Sequence, residues 1–301
     1  MKNHYIPKFY LKRWIVGDHL IEFARRQPGS QKVTPMRRTP AATGYKEGLY
    51  DFTGLPPAKR HHLEKVFFQM LDSKAADALL LMENRKEVLT AELRQAWVMF
   101  LLSLLARHPD DIDAFKAVYI RDFNRASHAE QAAYEKARGA DDPATAKEFF
   151  ASIGREFLQN MALNNVPRLI FHERAVLSLM NMHWLVAAPP PHGYFLTSDR
   201  PTIRTFLGND DSHWLVPIGP KRLFVAAKKR DYGARIRDVV AAQGWKEVNR
   251  QVVRQAVSFG YADDELHLPF FQKHLSVAKR PSMFWSFVSN PETAPPLERV
   301  P

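Results

Sequence analysis

No cysteine occurs among the 301 residues. That absence excludes disulfides, thiolate metal ligands and a cysteine nucleophile together, and it suits a reducing compartment. Long apolar runs are missing too. Stretches such as 96–106 are too short to span a bilayer, and Met1-Lys2-Asn3-His4 leads into no apolar signal core. A cytoplasmic protein with no membrane partner is therefore expected. No P-loop, G-x-G-x-x-G turn or kinase signature is present, so nothing calls for ATP- or NAD-driven chemistry. Acidic residues are in deficit, 32 against 43 Lys and Arg, for a formal net charge of +11. A positive potential of this kind attracts polyanions, nucleic acid among them, although it also serves solubility alone. The basic residues fall in short groups, from Lys12-Arg13 to Lys228-Lys229-Arg230, and no single run reads as a nucleic-acid arm.

What is present, 46% apolar and 25% charged residues, is the make-up of an ordinary globular chain. The patterning divides it into four stretches of one compact unit: an N-terminal β segment over 1–57, a helical block over 58–183, a sheet with a late helix over 184–262, and an extension over 263–301. Residues 19–35 read as a hairpin with a turn at 27–30, and 48–52 as a further short strand. Helical spacing covers 62–82, a helix N-capped by Thr90, 112–123 and 127–138, a segment starting at Pro143 and running to 163, and a central buried helix over 166–182. Short apolar runs at 184–187, 194–197, 202–206, 214–218 and 223–227 read as strands, 235–240 is ambiguous, and 246–259 returns to helical spacing. The tail from Pro291 to Pro301 reads as frayed. Helices and strands segregate along the chain, which predicts an α+β fold: an N-terminal hairpin and a C-terminal antiparallel or mixed sheet packed on a central helical block.

The polar groups held most tightly lie between Tyr194 and Lys221. Thr197-Ser198-Asp199-Arg200 ends at Pro201, which fixes its own φ and keeps Arg200 out of the helical region. A second strand end, Pro217-Ile218-Gly219-Pro220-Lys221, carries similar punctuation. Upstream, His4-Tyr5-Ile6-Pro7 begins an aromatic run too apolar to float free, and Arg107-His108-Pro109 closes a helix. The opening HYIP with Phe9 and Leu11, the RHP helix end, the TSDRP corner, the PIGP strand end and Asn249 together resemble a bacterial family catalogued as domain of unknown function 4238, over roughly residues 4–262. The resemblance implies an architecture and a residue list, and it brings no agreed activity. Where that family usually shows a serine before the second proline of the later motif, this chain has Gly219.

Each candidate residue carries two readings. His4 suits acid–base work because an imidazole titrates near neutrality, or it is a histidine satisfied by a backbone carbonyl. Asp199 is a base or a Mg²⁺ ligand, or a turn-maker accepting backbone N–H groups. Ser198 is a nucleophile only with a base at hand, and no G-x-S-x-G elbow surrounds it. Arg107, Arg200 and Lys221 can neutralise phosphate or form structural ion pairs, with Tyr5, Glu64 and Asn249 in support. His61-His62 with Glu64, and His108 with Asp110 and Asp111, hold ligand types for a hard metal without the spacing of a known motif, so Mg²⁺ is the one cofactor considered. Two functions stay open: a phosphodiester-cleaving, nuclease-like enzyme acting on nucleic acid, in phage defence or a toxin-like role, and a non-catalytic module binding nucleic acid or an anionic protein. The enzymatic reading expects His4, Asp199 and Arg107 in one cavity, with opposite charges raising the His4 pKa.

Overall fold

The computed structural model describes residues 1–27, 29–84, 89–123, 128–279 and Ser282. The chain opens with strand β1 (Lys2–His4), the one-turn helix α1 (Lys8–Leu11), and strands β2 (Leu20–Ala24), β3 (Thr34–Arg38) and β4 (Tyr45–Glu47). Helices α2 (Pro57–Arg60), α3 (Gln69–Asn84), α4 (Ala91–Ser103), α5 (Pro109–Phe123), α6 (His128–Ala137), α7 (Ala146–Ile153), α8 (Arg155–Ile170) and α9 (Glu173–Met180) form the block. Strands β5 (His183–Ala187), β6 (Thr197–Ser198), β7 (Ile203–Arg204), β8 (His213–Gly219) and β9 (Arg222–Ala227) come next. Helices α10 (Arg230–Val239) and α11 (Trp245–Arg254), strand β10 (Phe259–Ala262) and helix α12 (Leu268–His274) complete the order. The result is the α+β architecture expected of segregated elements.

Local chemistry sets most boundaries. Thr90 caps α4 by accepting from the Leu93 amide at 3.2 Å, and Thr145 with Glu148 forms a capping box that starts α7. That box, opening at Thr145 two residues after Pro143, moves the expected helix start from Pro143 to Ala146. Gly154, at φ +87°, separates α7 from α8. The single helix expected over 166–182 is instead the end of α8 and all of α9, broken at Phe171-His172, where the Phe171 amide closes back on the Pro167 carbonyl at 2.8 Å. Residues 48–52 make a turn, not a strand, because the Gly48 amide bonds to the Met1 carbonyl and ends the β1–β4 ribbon. The runs at 194–197 and 202–206 shorten to β6 and β7, and the ambiguous 235–240 lies mostly in α10. Pro28 of the expected turn, Ser127 at the expected start of α6 and the tail over 291–301 lie outside the described residues.

Among the described residues three antiparallel sheets form, in orders β1-β4, β3-β2-β10-β6 and β5-β9-β8-β7. The expected hairpin is β2–β3, yet its sheet is completed by β10 and β6 from the late chain, so residues 1–57 are not a separate unit in space. Alternation along β8 and β9 gives the third sheet two apolar faces. Trp214, Val216, Phe224 and Ala226 join the helical block, where Trp97 packs against Phe224 at 5.5 Å. Leu215, Leu223 and Val225 face Val240, Val248 and Val252 of the late helices. A third cluster sets Phe23 flat on Phe271 at 4.1 Å, with Val253 of α11 and Ala256 just beyond it alongside. Gly260 permits that stack, since a Cβ there would lie 2.1 Å from the Phe271 ring.

The N-terminal motif is clamped where these bodies meet. The Tyr5 and Ile6 amides both donate to the Gly44 carbonyl at 3.0 and 3.1 Å, with Gly44 at φ +64°. Tyr10 donates to the Pro217 carbonyl at 2.8 Å and shares a bond with Thr197 Oγ1 at 2.7 Å, and Trp14 Nε1 donates to the Phe195 carbonyl at 3.0 Å. The aromatic run is thus a hinge pin joining both strand ends that the sequence marked.

Candidate functional site

The TSDRP corner folds inward and engages the chain's own backbone. Asp199 is buried and accepts three amides, Val257 on Oδ1 at 2.8 Å and Ser258 and Phe259 on Oδ2 at 2.6 and 2.9 Å. Ser198 donates to the Val252 carbonyl at 2.8 Å and accepts the Arg200 amide at 3.1 Å, so its hydroxyl engages backbone groups and not a base. Arg200 pairs with Asp111, both of them buried. Lys221 donates to the Pro191 and Gly193 carbonyls at 2.9 and 2.5 Å, closing the loop ahead of β6. Asn249 accepts the Leu196 amide and donates to the Tyr194 carbonyl, each at 2.9 Å, so α11 holds the strand that carries the corner. Asp199, Ser198, Lys221 and Asn249 fix backbone, while Arg200 holds Asp111 and leaves Nε and Nη2 without a partner among the described residues. A carboxylate receiving three amides has little valence left for a metal ion, and no three His, Asp or Glu side chains converge as ligands among the described residues.

The second group of candidates converges at the other end of the motif. Arg107 is 1% exposed and grips Asp72 with both terminal nitrogens, at 2.9 and 3.3 Å, while its guanidinium lies 4.5 Å over the Phe68 ring. Its carbonyl accepts the Tyr50 hydroxyl at 2.6 Å. Glu64 is buried and accepts from Asn3 Nδ2 at 3.3 Å. Burial pushes the Glu64 carboxyl above its ordinary range, against the charge of Arg107 and the Asn3 bond and with the help of Asp72. Asp72 is also raised, burial again outweighing Arg107. His4 moves the opposite way to the expected rise. Burial first, then the charge of Lys8, with Arg107 and Lys2 acting in the same sense, pushes its pKa down to about 4, against a backbone hydrogen bond at Ala41. Burial, joined by the cations Lys8, Arg107 and Lys2, sets the sign opposite to the one expected from a neighbouring Asp199 carboxylate. Three polar atoms here are buried without a partner among the described residues: His4 Nε2, Asn3 Oδ1 and Arg107 Nε.

The two groups touch through the neighbours of His4 and Arg107. Tyr5 meets His108 edge to face at 4.9 Å, and His108 Nε2 lies 3.8 Å from Asp199 Oδ2. His108 Nδ1 accepts the Asp110 amide at 3.2 Å, which leaves Nε2 to carry the proton towards Asp199. Burial, then the charges of Asp199 and Glu22, pushes the Tyr5 hydroxyl upward. Beyond it, Thr43 donates to the buried Glu22 and sits 3.0 Å from the Tyr261 hydroxyl. Of the three residues expected to share a cavity, His4 and Arg107 belong to one cluster, and Tyr5 and His108 link Asp199 to it. In the His61-His62 pair, His61 bonds to Asp51 at 2.7 Å.

Asn3, Lys8, Asp72, Glu22, Thr43 and Tyr261 were not singled out from the sequence. Asn3 and Lys8 flank the HYIP motif, a signal within reach. Asp72 and Glu22 had none, since each lies in an apolar pattern as one charged residue among many.

The family model described as "Protein of unknown function (DUF4238)" matches residues 2–265, nearly all of the ordered core described above. No curated protein and no solved structure matches the chain. The match takes in the HYIP start, the Arg107 helix end, the TSDRP corner and β10, and the chain belongs to the DUF4238 family.

Proposed function

We propose that the protein is a phosphodiester-cleaving enzyme acting on nucleic acid, with its reacting groups at His4 and Glu64 rather than at Ser198 and Asp199. One observation carries this reading: within one cluster around Arg107 and Lys8, an imidazole is pushed down to about 4 and a carboxyl is pushed up. Environments that drive two titratable groups apart assign a base and an acid. His4, neutral and with Nε2 free, takes the proton of the attacking water. Glu64, more readily protonated than an ordinary carboxyl, returns a proton to the leaving oxygen as the P–O bond breaks. Lys8, Lys2 and Arg107 offset the phosphate charge, and a bound phosphate, by cancelling their field, lifts the His4 pKa toward the range where it works best as a base.

The direct test is incubation with RNA and with DNA, with and without Mg²⁺, at acidic, neutral and alkaline pH. Cleavage by the wild type that falls about 10²–10⁴-fold in His4→Ala is expected, with Ser198→Ala retaining it. No cleavage of any nucleic acid under any of these conditions, or cleavage indifferent to His4→Ala, refutes the proposal.

A further inference from the structure

Several exposed charges on this protein come in pairs of opposite sign. Lys46 faces Asp113, Lys74 faces Glu92, Lys228 and Lys229 share Asp210, and Arg237 faces Asp238. The outer side of α11 and α12 is different. Arg250 and Arg254 stand one turn apart on α11, and Lys273 and His274 end α12 against them. His274 registers the crowding: burial first, then the charges of Lys273, Arg250 and Arg254, lower its pKa, opposed by Glu247.

The backbone brings further cations to the same face. Ser276, at φ +56°, turns the chain so that the Ser276 and Ala278 amides close on the Val253 and Arg254 carbonyls at 3.1 and 2.9 Å, which lays Lys279 along the end of α11. Gln272 reaches the β2–β3 loop, accepting the Val33 amide and donating to the Gln31 carbonyl, both at 2.9 Å, so Lys32 stands beside α12. Glu247, paired with Arg250, is the one carboxylate that an ion pair brings to this group among the described residues. Underneath, the turn at 257–259 is pinned by Asp199 and by Ser276 Oγ on the Val257 carbonyl at 3.3 Å, so the face is rigid.

We infer that this face, built from Lys32, Arg250, Arg254, Lys273 and Lys279, is a docking surface for the phosphate backbone of nucleic acid. Cations held on two helix ends and a hairpin loop, with one counter-charge among them, match a row of phosphates, and guanidinium groups fit phosphate bidentately. Nothing in the inference requires cleavage, so it stands or falls separately from the His4 assignment.

Fluorescence anisotropy of a labelled mixed-sequence oligonucleotide over a salt series tests it, with phosphatidylserine vesicles as a second probe. Binding that weakens steeply with salt is expected. Arg254→Glu combined with Lys273→Glu is expected to weaken binding about tenfold or more and to flatten the log affinity–log salt slope by about 2, while Lys74→Gln, at the exposed pair with Glu92, binds nearly as the wild type does. Lys32→Glu with Lys279→Glu, both exposed, gives the same direction of change should the first pair disturb folding, as a melting curve would reveal. Absence of oligonucleotide binding at low salt, affinity unchanged by both pairs, or binding to the vesicles in its place overturns the inference.

Discussion

The corner at Ser198-Asp199 and the cluster at His4-Glu64-Arg107 were equally polar in the sequence, and both lie in the buried interior. They differ in what their atoms are left to do. At the corner each side-chain oxygen of Ser198 and Asp199 is engaged with the protein's own backbone. At the cluster, His4 Nε2, Asn3 Oδ1 and Arg107 Nε find no partner among the described residues, and two carboxyls and an imidazole are displaced from their ordinary pKa values. Polar residues beside prolines therefore mark a fixed backbone. Unsatisfied buried atoms and opposed pKa shifts mark a place where a ligand would complete the structure.

Breaking the corner should cost the most. Asp199→Ala leaves the part-buried amides of Val257, Ser258 and Phe259 without this acceptor, a loss of about 3 kcal/mol at the low end of about 1 kcal/mol for each donor. Chemical denaturation should show the midpoint fall accordingly. An Asp199→Ala protein as stable as the wild type would deny the corner its structural role and bring the catalytic reading of Asp199 back. A smaller effect is expected from Asn249→Ala, about 2 kcal/mol, because the buried Leu196 amide loses the Asn249 acceptor while the Tyr194 carbonyl loses a donor. Asn249→Asp should recover part of it, since a carboxylate can still accept from Leu196.

The finest contrast comes from pH. The His4 pKa is about 4 in the folded protein and near the ordinary 6.5 when unfolded. Between those values the unfolded chain binds more protons, so wild-type stability rises as pH rises through this window and falls as pH drops toward 4. Glu64 and Asp72, raised in the folded protein, act in the opposite sense above their ordinary values. The difference between wild type and His4→Gln isolates the imidazole. His4→Gln should fold with a flatter slope across this window, measured by thermal melts at several pH values. An identical slope in both proteins would mean that His4 is not desolvated as the fold implies.

Much of the architecture was legible in the residues. Apolar period marked α3, α4, β8 and β9, Thr90 announced its cap, and the hairpin at β2–β3 followed from two apolar runs around Gly29 and Ser30. Boundaries failed where a single distant bond decided them, as with the Gly48 amide on the Met1 carbonyl, or where a capping box outranked a proline, as at Thr145. Pairing of β2 with β10 could not be read at all, because a period-2 pattern states which face of a strand is buried and not which strand will lie beside it.

The same division holds for the candidate site. The sequence by itself determined that His4, Tyr5, Arg107 and Asp199 would be immobilised, since prolines and an aromatic run leave those segments no freedom. Only the tertiary structure decided which of them would be satisfied. Asp199 met the amides of a turn that follows it by nearly sixty residues, whereas His4 met Lys8, Lys2 and Arg107, and a field of cations in a desolvated place is a property of the assembled fold that no local pattern of residues encodes.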